Sequence, residues 1–332
     1  MTGRATPLRL RELVAALPAV RKPARGDVAI SGISADSRQV GPGMLFVAIP
    51  GVSVDGHRFI PQALERGAVA VVGERAPEDL PPLGGAARPF EYVQVPDARQ
   101  AWGWLCAAWA GFPSRRMALV GVTGTDGKTT TVNLIYAILR AAGLAVGMVS
   151  TVNARVGGEE FDTGLHTTTP DPPDVQRYLS AMVAAGASHA VLEVTSHGLA
   201  QGRVAGCDFD VAAVTNITHE HLDYHGTYEA YRAAKARLFE GLMGGYHKPG
   251  LPKTAVLNRD DESFAYLSAI PAEQQLCYSL QGPADFTASH IGFGPRGGSF
   301  RLHTPSGEAE IETPRGPNPI WLAVKSAGPC SE

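Results

Sequence analysis

Cysteine is scarce in this sequence, and neither sign of charge dominates. The four cysteines are far apart, without the paired spacing of a zinc site or a disulfide framework: Cys106, Cys207, Cys277 and Cys330. We therefore expect a cytoplasmic protein of a reducing compartment. With 29 basic and 32 acidic residues the formal charge is -3, which predicts no clustered positive surface and hence no nucleic-acid partner.

Long hydrophobic runs are also missing. No apolar stretch approaches the roughly 18 residues of a membrane span, so we expect no membrane partner. Arg9, Arg11 and Glu12 interrupt the apolar residues near the N-terminus, so these predict one face of a short helix rather than a leader: Leu8, Leu10, Leu13, Val14 and Leu17. We expect a monomer.

The chain is long enough for two domains, with 332 residues of which 44% are hydrophobic and 18% charged. A predicted helix over 101–110 stops at Gly111 and Pro113, which places a boundary between domains 1–112 and 113–316. In the first domain, strands over 44–49 and 69–72 with a helix over 61–66 between them predict a small α/β fold. Residues 317–332 are interpreted as a divergent tail.

The second domain alternates short apolar runs with segments of helical length. Strands are predicted over 117–122, 144–150, 189–194, 211–215 and 254–257, a helix over 128–142, and a surface loop over 241–252. This order is typical of a doubly wound, mostly parallel sheet. Ligands of such sheets bind at the carboxyl ends of the strands.

A glycine-rich loop joins the first of these strands to its helix. The backbone amides of such a loop and the helix N-terminus converge on one point and favour an anion. Lys128 can neutralise terminal phosphates, and Thr129 or Thr130 can ligate magnesium. Val122 stands where the strict Walker spacing requires glycine, so the motif is a shorter variant. We predict that a nucleotide contacts Gly124, Thr125, Asp126, Gly127, Lys128, Thr129, Thr130 and Asn258.

Acidic and imidazole side chains follow two further strands. Glu193 either caps a neighbouring helix or pairs with a surface base, or it is a magnesium ligand beside the loop, and we favour the ligand. His219, His221 and His225 match none of the helical two-histidine zinc motifs, so we expect one of them to help hold a metal-bound phosphate rather than zinc.

Lys235 lies in a predicted helix that Thr227 can cap. Taken alone, a helical lysine is far more often a solvated surface group than a catalytic one.

Several separated motifs together resemble the Mur ligases. They are GTDGKTT (124–130), TTPD (168–171), EVTSHGL (193–199), TNITHEHLDYHG (215–226) and AKARLF (234–239). The branch most similar to this sequence adds the third amino acid to the peptidoglycan stem peptide. The segments DSR (36–38), GMLFVA (43–48) and DGHRF (55–59) resemble its uridine-binding domain.

The resemblance implies an ATP-dependent amide ligase. ATP would phosphorylate the carboxylate of UDP-N-acetylmuramoyl-L-alanyl-D-glutamate, and an amino acid would attack the acyl phosphate. It implies magnesium at Thr129 and Glu193, and a second magnesium near His221 and a carbamylated Lys235. Lys128, His221 and Lys235 are the implied catalytic residues. The implied substrate contacts are Ser37, Val52, Ser53, Thr168, Thr169, Thr195, Gln201 and Arg203.

The sequence departs from the family in several places. Asp126 replaces the usual asparagine, Glu220 an aspartate and Thr195 a serine, and we expect all three to be tolerated. Family members also continue into a third domain, and residues 315–328 depart from the expected continuation, which suggests a frameshift or premature stop near residue 317. We therefore expect binding of ATP and the UDP-linked dipeptide with little or no amide synthesis.

Two other interpretations stay open. The first alternative is a non-catalytic module that binds nucleotide or UDP-muramoyl peptide. The second is another ligase of the superfamily, for folate or for the terminal dipeptide. The segments 36–38 and 55–57 argue against the folate branch.

Overall fold

A computed structural model describes residues 1, 6–51, 54–82, 89–162, 169–294 and 297–314. Its contacts divide the chain into two compact units. The first consists of Met1–Pro113, Asp171–Arg177 and Gln201–Cys207, and the second of Ser114–Pro170, Tyr178–Ala200 and the described residues from 208 onward. Two later segments thus belong to the first unit, and the limits 1–112 and 113–316 stay a prediction.

The first unit contains a parallel sheet and a short antiparallel pair. Its strands are β1 (Leu8–Arg9), β2 (Ala29–Ile30), β3 (Gly32–Ser34), β4 (Met44–Val47), β5 (Ala70–Gly73) and β6 (Glu91–Gln94). Its helices are α1 (Leu10–Val14), α2 (Ile60–Glu65) and α3 (Ala98–Trp109), with 3-10 turns at Ser37–Gln39, Gly56–Phe59 and Pro77–Asp79. Strands β3 to β6 pair in chain order, all parallel, while β1 pairs with β2.

Strand β4 shows why this sheet is covered on both faces. All four of its residues are buried. Leu45 and Val47 pack into one apolar cluster with α1 and α3, whereas Met44 and Phe46 pack into another with α2. Successive side chains point to opposite faces of a strand, so a continuous apolar run supplies both cores.

The second unit is built on one large mixed sheet. Its first elements are β7 (Ala118–Thr123), α4 (Lys128–Ala141), β8 (Val146–Val149), β9 (Asn153–Val156), β10 (Glu159–Asp162), α5 (Pro172–Ala184), β11 (His189–Glu193), α6 (Ser196–Ala200) and β12 (Val211–Val214). The rest are α7 (Leu222–His225), α8 (Tyr228–Gly244), β13 (Thr254–Asn258), α9 (Phe264–Leu267), β14 (Gln274–Ser279), β15 (Phe286–Gly294), β16 (Gly297–Thr304) and β17 (Gly307–Pro314). A 3-10 turn at Pro113–Arg116 precedes β7, and α5 begins in a segment of the first unit.

Within the described residues the strand order is β10-β9-β8-β11-β7-β12-β13-β14-β15-β16-β17. Strands β8 to β15 of this order run parallel, and antiparallel strands extend both edges. Strand β7 lies in the middle. The chain passes from β7 to β8 on one side and from β11 to β12 on the other, which opens a crevice at the carboxyl end of β7.

The predicted fold class is confirmed: a small α/β unit precedes a doubly wound, mostly parallel sheet with a phosphate-type loop. Helix α8 begins after Thr227, whose Oγ1 accepts from the amide of Ala230 at 3.2 Å, as the predicted cap requires. None of the helices in the described part of the chain combines the length and apolarity that a membrane span requires.

Two local predictions were wrong. The short N-terminal helix contains neither Leu8 nor Leu17: it spans Leu10–Val14, because Leu8 and Arg9 form a strand that pairs with Ile30 and Ala29. The predicted loop over 241–252 begins too early, since α8 continues to Gly244. In α8 the buried Leu242 anchors the last turn despite its neighbouring glycines, so tertiary packing outweighs the low helix propensity of glycine.

A buried charge network lies near the amino ends of the central strands. The carboxylate of Asp210 is fully buried and accepts from the amide of Leu119 at 2.8 Å. The ammonium groups of Lys253, at 3.1 Å, and of Lys248 also bind it. Asp210 thus compensates two buried cations before β12 begins.

We expect Asp210→Ala to lower the free energy of unfolding by about 3 to 5 kcal/mol, because it leaves two buried ammonium groups without their carboxylate. Glu310→Ala is the control, since Glu310 forms an exposed pair with Arg301 at 2.6 Å and should cost below about 1 kcal/mol. Urea denaturation of both variants measures the difference. Equal losses would contradict a compensating role for Asp210.

Candidate functional site

The loop between β7 and α4 has a shape that only glycine permits at two positions. Gly124 has φ +147° and Gly127 φ +76°, backbone conformations that favour glycine. A Cβ atom on Gly124 would lie 1.8 Å from Oγ1 of Thr215. The glycines therefore let the loop close against the end of β12.

The two residues that follow β12, Thr215 and Asn216, hold this loop through hydrogen bonds. The carbonyl of Asn216 accepts from the amide of Thr125 at 2.7 Å, and its Oδ1 accepts from the amide of Asp126 at 3.0 Å. Thr215 Oγ1 donates to the carbonyl of Asp126 at 2.6 Å. Because these loop amides are already bound, the amides available to an anion are those of the first turn of α4, which has no acceptors within the helix.

Two predicted ATP-binding residues take part in holding the loop, Asp126 through its backbone and Asn258 through Thr215. Asp126 is exposed, so the carboxylate that replaces the family asparagine adds its charge in solvent. Asn258 is buried at the end of β13, where its Nδ2 donates to the carbonyl of Thr215 at 2.8 Å and its Oδ1 accepts from the amide of Asp260 at 3.0 Å. Asn258 thus supports the residue that holds the loop.

The first turn of α4 presents a cation and two hydroxyls. Lys128 Nζ donates to the carbonyl of Thr125 at 2.6 Å and so lies over the loop. Thr129 Oγ1 donates to Oε2 of Glu193 at 2.8 Å, and Thr130 is half-buried beside it. An ammonium and hydroxyls at a helix N-terminus are the groups that bind phosphates.

Glu193 joins the ends of two strands to the first turn of α4. It closes β11 and is only 3% exposed. Besides Thr129, it accepts from Thr151, which follows β8, through the backbone amide at 3.0 Å and through Oγ1 at 2.8 Å. Its partners are hydroxyls and an amide, not the surface base of the alternative interpretation. Carboxylate and hydroxyl oxygens in this arrangement suit magnesium.

Lys235 lies beneath the loop and is 1% exposed, so the interpretation as a solvated surface lysine is wrong. Its Nζ donates to the carbonyl of Gly124 and lies 4.5 Å from the ring centroid of Tyr231. Burial holds the pKa of Lys235 well below its ordinary value, and the nearby ammonium of Lys128 lowers it further. A neutral amine can act as a nucleophile at this position.

The histidines form an aromatic cluster beside Lys235. His197 lies 5.0 Å from His221 and 5.4 Å from His225, centroid to centroid. Burial, and then the charge of His197, lowers the pKa of His225. His219 stacks instead on Tyr228 at 4.6 Å. Among the described residues no group of three or more His, Cys, Asp or Glu side chains is arranged to hold a metal ion, and the expectation that these histidines do not bind zinc stays a prediction.

Four of the implied substrate residues form two pairs. Oγ1 of Thr169 lies 2.9 Å from Oγ1 of Thr195, and it also accepts from the Thr195 amide at 3.0 Å. Arg203 Nε donates to Oε1 of Gln201 at 3.0 Å and lies 3.5 Å from the carboxylate of Asp171.

The remaining implied contacts belong to the start of the chain or lie outside the described residues. Ser37 is 6% exposed, and its Oγ donates to Oε1 of Gln62 at 2.6 Å. Val52, Ser53 and Thr168 are among the residues that the structure does not describe.

Sequence reasoning missed Thr151, Asn216 and Tyr231 as site residues. Thr151 and Asn216 follow β8 and β12, so the rule that placed Glu193 at a strand end could have found both. Tyr231 lies four residues before Lys235 and hence on the same helix face. The sequence carries that spacing, but not the burial that brings the pair under the loop.

Two family profiles match this chain. The profile of the Mur ligase middle domain matches residues 122–315, and that of the Mur ligase family, catalytic domain, matches residues 29–110. The chain is also similar to a solved structure of a UDP-N-acetylmuramoyl-L-alanyl-D-glutamate--2,6-diaminopimelate ligase. That likeness has a TM-score of 0.69 and 32% identity, and covers 86% of this chain and 56% of the other.

Curated relatives show the same similarity. A UDP-N-acetylmuramoyl-L-alanyl-D-glutamate--2,6-diaminopimelate ligase of Geobacillus thermodenitrificans is 42% identical over 306 residues, which cover 92% of this chain and 60% of the relative. A UDP-N-acetylmuramyl-tripeptide synthetase of a Roseiflexus species is 43% identical over 313 residues, covering 91% and 60%. The chain thus spans about 60% of the length of these relatives.

We expect Lys235→Met to stabilise the protein at neutral pH, because methionine fills the space without an amine that must bury its charge or give up its proton on folding. Between the lowered pKa of folded Lys235 and its usual 10.5, the unfolded chain holds a proton that the folded chain lacks. The stability of the unsubstituted protein therefore rises with pH in this window. The advantage of the variant should shrink from neutral pH toward about pH 10, as thermal unfolding in carbon-dioxide-free buffer can measure.

The control for this comparison is Lys22→Met, since Lys22 is exposed and its substitution removes no buried amine. A Lys235→Met difference that stayed constant over the same range would contradict a buried, low-pKa lysine.

Proposed function

The chain belongs to the Mur ligase family, and on that basis we propose that it binds ATP and activates a UDP-linked peptide in an ATP-dependent amide ligase reaction. The ligase would add the third amino acid to UDP-N-acetylmuramoyl-L-alanyl-D-glutamate, as the printed names of its relatives describe for those proteins. The observation that carries this proposal is the fastened loop, in which Lys128 and the first turn of α4 face one anion position.

The proposed reaction has two steps. A carboxylate oxygen of the dipeptide attacks the γ-phosphorus of ATP, and the bond between this phosphorus and the β-phosphate oxygen breaks. ADP departs, and the dipeptide carries an acyl phosphate. The amine of the amino acid then attacks the carbonyl carbon, inorganic phosphate leaves, and the amine loses a proton. Such phosphoryl transfer needs positioned cations more than covalent chemistry. Lys128 and the helix amides supply fixed positive charge where the transferring phosphoryl group gains negative charge.

Mur ligases use ATP with magnesium, and the oxygen ligands of Thr129 and Glu193 fit that ion. Magnesium bound there would neutralise phosphate charge. The residues of this chain prepare the position, because Thr151 fixes the Glu193 carboxylate through two hydrogen bonds. A carboxylate held in this way cannot rotate away from the loop.

We place a second magnesium position near His221 and a carbamylated Lys235. In carbamylation the neutral Nζ attacks carbon dioxide, a nitrogen–carbon bond forms, and the nitrogen loses a proton. The low pKa that burial imposes on Lys235 supplies the neutral amine, and the carbamate adds oxygen ligands of the kind that magnesium prefers.

The UDP-linked dipeptide is the proposed second substrate, with an amino acid as the third. Thr169 and Thr195 present paired hydroxyls, and the Arg203 guanidinium suits a phosphate or carboxylate through its parallel donors. Gln201 holds that guanidinium in place. We further assign uridine contacts to Ser37 with Val52 and Ser53, and a substrate contact to Thr168.

Replacing Lys128 with alanine should weaken binding of a non-hydrolysable ATP analogue with magnesium at least about tenfold, because it removes a charged hydrogen-bond donor from the anion position. Lys22→Ala removes an exposed lysine elsewhere and should leave the affinity within about twofold. Isothermal titration measures both. Undiminished affinity in Lys128→Ala, or no binding by the unsubstituted chain, would overturn the proposed nucleotide site.

Arg203→Ala should weaken binding of UDP-N-acetylmuramoyl-L-alanyl-D-glutamate about tenfold in the presence of the same ATP analogue, since a bidentate charged contact is lost. Arg177→Ala is the matched control, because Arg177 forms an exposed pair with Asp174 at 3.0 Å. This variant should bind the UDP-linked dipeptide as tightly as the unsubstituted protein does. The assignment of Arg203 fails if the two variants titrate alike.

A further inference from the structure

Tyr231 is a buried tyrosine that reaches both the phosphate loop and Lys235. Its side chain is completely buried in α8. Its hydroxyl lies 3.0 Å from Oγ1 of Thr125, and its ring centroid lies 4.5 Å from Nζ of Lys235. Because Lys235 binds the carbonyl of Gly124, two successive loop residues are held from one face of one helix.

The hydrogen bond to Thr125 extends to the segment after β12. The amide of Thr218 donates to Oγ1 of Thr125 at 2.9 Å. Three parts of the chain therefore meet at one threonine hydroxyl: the loop, helix α8 and the segment that leads to His221. The ring of Tyr231 also lies 6.1 Å from His221. A change in the position of this tyrosine would move the loop and the proposed metal side chains together.

The chemistry of Tyr231 suits support rather than proton transfer. Burial raises the pKa of its phenol to about 12, so the hydroxyl keeps its proton at neutral pH and remains a hydrogen-bond partner. Its aromatic ring packs against the desolvated amine of Lys235.

We propose that Tyr231 is a positioning residue that sets the shape of the phosphate loop through Thr125 and seats Lys235 beneath Gly124. This role rests on the nucleotide binding proposed above. It acts before any ligand arrives, because every bond that carries it lies within the protein.

Tyr231→Phe keeps the ring over Lys235 and removes the hydroxyl alone. The variant should bind the ATP analogue with magnesium about five- to tenfold more weakly, the effect of one buried hydrogen bond. Tyr136→Phe is the matched control: Tyr136 is a buried tyrosine of α4 whose hydroxyl accepts from Arg140 at 3.2 Å, and its loss should leave affinity within about twofold. Thermal unfolding of both variants checks that their stabilities are comparable.

Thr125→Val removes the same hydrogen bond from its other end. It should weaken nucleotide binding at least as much, and adding Tyr231→Phe to it should cause no further loss, since coupled groups are not additive. If Tyr231→Phe does not fold, Thr125→Val takes its place in the comparison with Tyr136→Phe. Equal weakening in Tyr231→Phe and Tyr136→Phe, or full additivity with Thr125→Val, would overturn the proposal.

A ligand-free measurement separates this proposal from the proposed function. Amide hydrogen exchange at Thr125 and Thr218 should accelerate in Tyr231→Phe and not in Tyr136→Phe. Unchanged exchange would refute the positioning role even if the chain binds nucleotide. Accelerated exchange in a chain that binds no nucleotide would support the role of Tyr231 in the loop and refute the function.

Discussion

The fastening of one loop to the strand beside it is the constraint on which the rest of the site depends. The loop after β7 carries two residues in left-handed or related backbone conformations, Gly124 and Gly127, and a loop of this kind is costly to order. Hydrogen bonds from Thr215 and Asn216 hold it closed without a ligand. The loop therefore loses its conformational entropy during folding, and a phosphate bound there, as proposed above, would meet donors that are already aligned.

The sheet order explains why these groups meet. Strands β11 and β12 flank β7 on its two sides, so the residues that follow all three arrive at one edge. Glu193 comes from β11, Asn216 from the end of β12 and Lys128 from the helix after β7. Each of these three residues belongs to a different motif, and the motifs are far apart in the sequence. The parallel topology converts distant motifs into one site.

Local patterns sufficed for much of this fold, but not for all of it. The strand, glycine loop and helix over 118–141 depend on patterns of neighbouring residues, so the sequence predicts their bounds within one or two positions. Strands β15 to β17 went unpredicted, because β15 and β16 are half-exposed and contain glycines, and all three lack the apolar runs of the central strands. The burial of Lys235 is a tertiary property, since the loop that covers it lies about a hundred residues earlier.

The two buried charge sites of the central sheet differ in a way that separates stability from chemistry. Near the amino ends of the strands, Lys248 and Lys253 share the carboxylate of Asp210, which offsets part of the cost of burying their charge. Near the carboxyl ends, Lys235 has a carbonyl and an aromatic ring as neighbours, and among the described residues no carboxylate lies within ion-pair distance of it. A lysine buried without a counter-charge costs stability, either as a buried ammonium or through the proton that it gives up on folding. The two ends of the sheet therefore differ: the compensated lysines contribute to stability, whereas the uncompensated Lys235 supplies the amine on which the carbamylation proposed above rests.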